Sequence, residues 1–154
     1  PFLSDSFKKI SRVRIINNIV ANFRGLRIGG LEYFTDASWV REFKPSNYQE
    51  NLRAVLKQNK KTKIILRNFG TVDILLCHQP PYGILDKVSS KIAPKSWQGK
   101  HAGSKIIRDY ILKNHSSYVF CGHIHEAKGM NVLGKTEVYN LGVCGYKIIE
   151  FSDN

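Results

Sequence analysis

The sequence predicts an α/β domain, on three observations. Two short continuous apolar runs, VDILLC (Val72 to Cys77) and YVFC (Tyr118 to Cys121), read as buried strands. Between them, Ile106, Ile107, Tyr110 and Ile111 fall on one side of a helix from Lys105 to Asn114. The 154 residues, 42% hydrophobic and 23% charged, have the composition of a globular domain with a sizeable core.

The elements follow in order. Leu3, Phe7 and Ile10 have helical spacing and predict a short opening helix. VRIINNIVANFRGLRIGGLEYF, broken at Arg24-Gly25 and at Gly29-Gly30, reads as two strands joined by a tight turn. A loop with Trp39 and Pro45 comes next. Ser46 and Gln49 then have capping-box spacing, and Tyr48, Leu52, Val55 and Leu56 predict the buried stripe of a helix, with a break near Thr62, that ends at Phe69 before Gly70.

The first apolar run ends at His78, where HQPPYGILD enforces a turn because two prolines and a glycine follow at once. A loop through Pro94, Trp97 and Gly99 leads to Ser104, the predicted N-cap of the Lys105 to Asn114 helix. The second run ends at Gly122-His123. The remainder reads as short strands punctuated by Gly134 and Gly145, with no repeat, low-complexity tract or domain boundary.

A formal charge of +12, from 24 Lys and Arg against 12 Asp and Glu, favours anionic partners, although the densest run, KQNKKTK (Lys57 to Lys63), reads as a solvated helix face. No apolar run reaches the ~20 residues that span a bilayer, and no signal-peptide pattern opens the chain. Three cysteines suggest reduced thiols, and the expected location is cytoplasmic. The chain begins with Pro and not Met, which reads as a processed product or a part of a longer polypeptide.

Strand, helix-bearing connection and strand form a βαβ unit, so the two strands are parallel and their C-terminal ends share one sheet edge. His78 and His123 leave the strands at that edge, where α/β sheets bind ligands. His125, two residues on in an extended segment, would face the same side as His123. Three imidazoles there suit a metal with an open position for water. A Cys2His2 zinc site of Cys77, His78, Cys121 and His123 is the competing arrangement, opposed by strand alternation, which sends Cys77 and His78 to opposite faces. His115, at a helix end, is explained by the helix dipole.

DILLCHQPPYG, then YVFCGHIHEAKG, then GKTEVYNLGVCGY together resemble the C-terminal half of the calcineurin-like metallophosphoesterases, over roughly Leu26 to Phe151. The resemblance implies part of a four-layer αββα sandwich, mixed β-sheets flanked by helices, with residues 1–154 forming a single domain that is the C-terminal portion of a metallophosphoesterase. It implies two divalent ions (Mn, Fe, Zn or Ni), one bound by His78 and His123 and the other by His125, and two-metal hydrolysis of a phosphomonoester or phosphodiester. The family's Asp-x-His, Gly-Asp-x-x-Asp and Gly-Asn-His motifs, which supply its carboxylate and Asn ligands and its acid histidine, do not occur in these residues.

This chain is therefore expected to carry only the histidine half of a dinuclear site and to be inactive alone. Its own N-terminal segment or a second chain would supply the Asp and Asn ligands. Glu126 is a candidate to orient a ligand histidine, and His101, just before a helix N-terminus, a candidate contact for the anionic phosphate-ester substrate. Two other readings stay open: a non-catalytic binding module of the same fold, suggested by the missing acid motifs, and a basic nucleic-acid binder, resting on charge alone. No membrane partner is expected.

Overall fold

A computed structural model describes residues 13–151 as a six-stranded mixed sheet with helices; the expected opening helix at Leu3 to Ile10 lies outside the described residues. Strands β1 (Ile19–Phe23) and β2 (Leu26–Gly30) form an antiparallel hairpin whose turn is Arg24-Gly25, both residues at positive φ. Three parallel pairings follow, β2 with β3 (Ile74–Leu76), β3 with β4 (Tyr118–Cys121), and β4 with β6 (Thr136–Asn140). The edge strand β5 (Gly129–Leu133) lies antiparallel to β6, giving the order β1-β2-β3-β4-β6-β5.

Alternation along these strands divides the sheet into two faces. Leu75, Val119 and Val138 point into the main core, where they meet Leu66 and Phe69 of helix α2 (Tyr48–Phe69) and Ile107, Tyr110 and Ile111 of helix α3 (Lys105–Asn114). On the opposite face Tyr118, Phe120 and Tyr139 are half-buried and stack in a row, with ring centroids 6.5 Å and 5.5 Å apart.

Helix α3 is the expected one: Ser104 Oγ accepts from Ile107 N, and His115 ends the helix in the left-handed conformation. Five expectations are corrected. The loop with Trp39 holds a two-turn helix, α1 (Ala37–Phe43), capped by Asp36, whose carboxylate accepts from the backbone and hydroxyl of Ser38. Asp36 also accepts from Ser104 Oγ and Ile106 N, so one buried carboxylate serves the starts of α1 and α3.

The Ser46/Gln49 capping box does not form. Asn47, at φ 59°, starts α2 without a side-chain cap, and the Ser46 carbonyl instead accepts from Asn51 Nδ2. The buried stripe lies further along: Asn59, Thr62, Leu66 and Phe69 are buried while Leu56 is exposed, because Asn59 meets the start of α1 through Ala37 N and Leu66 and Phe69 reach the main core. Thr62 does not break the helix; its hydroxyl bonds back to the Gln58 carbonyl. After Asn140 no further strand forms among the described residues. Lys57, Lys60, Lys61 and Lys63 are exposed, as a solvated face requires.

Candidate metal centre

The ladder between β3 and β4 continues past both strands, and this sets the site. Cys77 N donates to Phe120 O, and Gly122 N donates to His78 O at 3.0 Å, so the two exit loops leave side by side. His78 Nε2 then lies 3.1 Å from His123 Nδ1. Tyr33, which leaves β2 at the same edge, packs edge-on against the His78 ring at 5.2 Å and lies 6.1 Å from the ring of His123.

Ile124 N donates to Gly122 O at 2.8 Å, which closes a three-residue γ-turn about His123 with φ at 65°. That turn is the rare, strained form for a residue with a Cβ. His125 opens a single 3-10 turn over His125–Ala127, so the segment is not extended as expected, and simple alternation does not place the second histidine. His125 is nevertheless close enough to act electrostatically on both other imidazoles. Desolvation, then His125, lowers the His78 pKa; desolvation, then His78 and His125, lowers that of His123 against the opposing Glu126. Both rings are thereby held neutral, the state a metal donor needs.

Asn140 locks the turn in place. Buried at 1% exposure, its Nδ2 donates to Ile124 O at 2.8 Å and to Leu85 O at 3.0 Å, while its Oδ1 accepts from Gly142 N. The strand-end Asn thus ties the turn carrying His123 to the loop that follows His78.

Glu126 and Asp86, the acids nearest the histidines, both accept from loop backbone amides. Glu126 Oε1 accepts from Ser89 N and Ser90 N. Desolvation would raise its carboxyl, but these amides, its own N–H and nearby His125 outweigh that and hold it below the ordinary value. Asp86, 1% exposed, accepts from Gly83 N and Gly103 N and lies 2.7 Å from His101 Nδ1. A Cβ at Gly103 would meet Asp86 Oδ2 at 2.6 Å, so only glycine fits there. His101 is therefore oriented by Asp86, beside the Tyr82 ring at 5.2 Å, and not by the histidine pair.

Cys77 and Cys121 pack with the core and their thiols donate to backbone carbonyls, Cys77 to Gln79 O and Cys121 to Tyr139 O. Burial raises both pKa values, Cys121 to about 12, which disfavours the thiolates a zinc site requires.

Two nitrogens each about 2.1 Å from one ion lie roughly 3.0–3.4 Å apart for bond angles between square and tetrahedral. The His78–His123 separation of 3.1 Å falls within that span, so the pair fits two donors of a single ion. Among the described residues, no group of three or more His, Cys, Asp or Glu side chains is arranged to hold a metal ion. The donor set fits part of a site and supplies no converging carboxylate. Sequence reasoning missed Tyr33 and the orienting role of Asn140; the parallel pairing of β2 with β3 and the Asn-x-Gly at the end of β6 were the available signals.

A family model described as calcineurin-like phosphoesterase matches residues 3–127. No curated protein matches the sequence. One solved crystal structure is similar at 18% identity and a TM-score of 0.56, covering 92% of this chain and 51% of the other. A second, described as the crystal structure of TT1561 of Thermus thermophilus, has 16% identity and a TM-score of 0.39, covering 82% of this chain and 48% of that one. The chain spans about half the length of the solved structures it matches.

Proposed function

The chain belongs to the calcineurin-like phosphoesterase family, and from that premise we propose that it supplies the imidazole part of a dinuclear metal centre for phosphate-ester hydrolysis. The observation that carries this reading is the approach of His78 Nε2 to His123 Nδ1 at 3.1 Å, from two adjacent parallel strands and with both rings held neutral. In this reading His78 and His123 bind one divalent ion and His125 the other, as Mn, Fe, Zn or Ni would allow. Bound there, the ions would supply Lewis-acid polarisation of a phosphoryl oxygen and a nucleophile from water at neutral pH. The chain's own contribution is positional: the γ-turn aims His123, Asn140 fixes the turn, and Tyr33 buttresses both rings.

The carboxylate and Asn ligands would come from the protein's own N-terminal segment or from a second chain. The row of Tyr118, Phe120 and Tyr139 supports that complement, because it is an aromatic sheet face that stays only half-buried even with Phe151 against Tyr118 and Lys147 above Tyr139. A second sheet would bury it in the way sheets pack face to face. A non-catalytic binding module of the same fold is the second reading, favoured by the lack of a converging carboxylate among the described residues.

Hydrolysis of a bis-aryl phosphate with added Mn separates these readings. The 154-residue chain alone should give no turnover that depends on His123, whereas addition of a segment bearing the Asp-x-His, Gly-Asp-x-x-Asp and Gly-Asn-His motifs from the same coding sequence should create it. Failure of such a stable complex to turn over, or a coding sequence without those motifs, would favour the binding module.

A further inference from the structure

The basic run on α2 faces a partly basic wall on α3, and the metal centre uses neither. Two cavities, of about 370 Å³ and 320 Å³, lie between these helices and share Lys63, Ile106 and Asp109 in their linings. They therefore form one groove, which Arg41 of α1 joins at one end. The α2 wall carries Lys60, Lys63 and Arg67, at the i, i+3, i+7 spacing of a single helix face. The α3 wall carries Asp109 and Lys113 at i, i+4, while Lys105 at its start sits over the Tyr82 ring at 4.7 Å.

The cations outnumber the acids here and are not neutralised. Arg41, Lys60, Lys63, Arg67 and Lys113 are all exposed, and among the described residues none of them forms an ion pair. Of the two acids in the lining, Asp36 is buried and occupied by Ser38, Ser104 and Ile106. Asp109 alone is exposed. Cations lining a groove whose neighbouring walls are protein concentrate their field within it and favour an anionic occupant.

Two features decide which polyanion fits. A single nucleic-acid strand is held by stacking its bases on open aromatic rings, and the one ring in this lining, Tyr110, is buried with its hydroxyl donated to Gly70 O. A phosphodiester chain also carries a charge at every step, so it cannot pass Asp109 without repulsion. An acidic peptide can leave that position neutral. Its spacing suits the walls as well: cations four apart on a helix are about 6 Å apart along the axis, and every second residue of an extended chain recurs at roughly 6.6 Å.

We propose that the α2–α3 groove is a docking surface for an extended acidic segment of a partner protein, with carboxylates at alternate positions against Lys60, Lys63, Arg67 and Lys113. This surface is separate from the histidine centre and does not depend on the phosphoesterase reading.

The test needs neither metal nor turnover. The 154-residue chain is titrated at low salt against a short fluorescein-labelled peptide with Glu at every second position, the same peptide with Gln for Glu, and a labelled oligothymidylate, and anisotropy is followed. The Glu peptide should bind saturably, more tightly than the oligothymidylate, and the Gln peptide should not bind. Lys63→Glu and Lys113→Glu should each weaken the Glu peptide by about fivefold or more, since reversal removes an attraction and adds a repulsion. Lys135→Glu, the same charge change at an exposed position outside the groove, should weaken it by less than about twofold. Circular dichroism checks that each variant is folded.

No saturable binding of the Glu peptide, equal binding of the Gln peptide, or equal losses from Lys63→Glu and Lys135→Glu overturns the assignment. Tighter binding of the oligothymidylate that falls with Lys63→Glu also overturns it and gives the groove to nucleic acid.

Discussion

Asn140 Nδ2 donates to the Ile124 carbonyl at 2.8 Å, and through that bond a residue at the end of β6 holds the turn in which His123 sits. The same amide reaches Leu85 O, so two loops depend on one side chain. Asn140→Ala should cost about 2–4 kcal/mol, because two carbonyls and the Gly142 N–H lose their partner in a buried setting. Urea denaturation measures it, and a loss below about 1 kcal/mol would mean the turn is held by something else.

The γ-turn at His123 makes a second prediction. With φ at 65°, a side chain bearing a Cβ is strained there and glycine is not. His123→Gly should therefore be more stable than His123→Ala by about 1 kcal/mol, even though glycine ordinarily costs entropy on folding. Equal stabilities of the two variants would show that the turn relaxes once the imidazole is gone.

What was legible in the sequence, and what was not, divides along this line. The apolar runs ending at His78 and at Gly122-His123 were enough to place those histidines on one edge, since parallel pairing is a consequence of strand order and connection length. The positive φ of His123 was not legible, because it comes from a backbone bond between Ile124 and Gly122 and not from any residue preference. Helix α1 was hidden for a different reason: its cap, Asp36, reads as an ordinary acid until Ser104 and Ile106 are seen to use it too.

Tyr110 predicts an alkaline response. Its hydroxyl donates to Gly70 O at 2.7 Å at the C-terminus of α2, and burial pushes its pKa up to about 12. A folded pKa above the ordinary value of 10 means that the stability from the neutral phenol is fully present below about pH 10 and is lost as pH rises through about 12. Tyr110→Phe should lose about 1 kcal/mol at pH 8 and then lose less than the parent between pH 10 and 12. Parallel denaturation curves across that window would contradict it.

Metal affinity of the full chain bears most directly on the central claim that His78 and His123 are donors to one ion. Isothermal titration with Zn or Mn on the parent, His78→Ala, His123→Ala and the double variant forms a complete cycle. Each single change should weaken binding by about tenfold or more, and the double change should fall short of the sum by about 1 kcal/mol or more, as donors to a shared ion must. Additive effects, or no effect of either change, would contradict it.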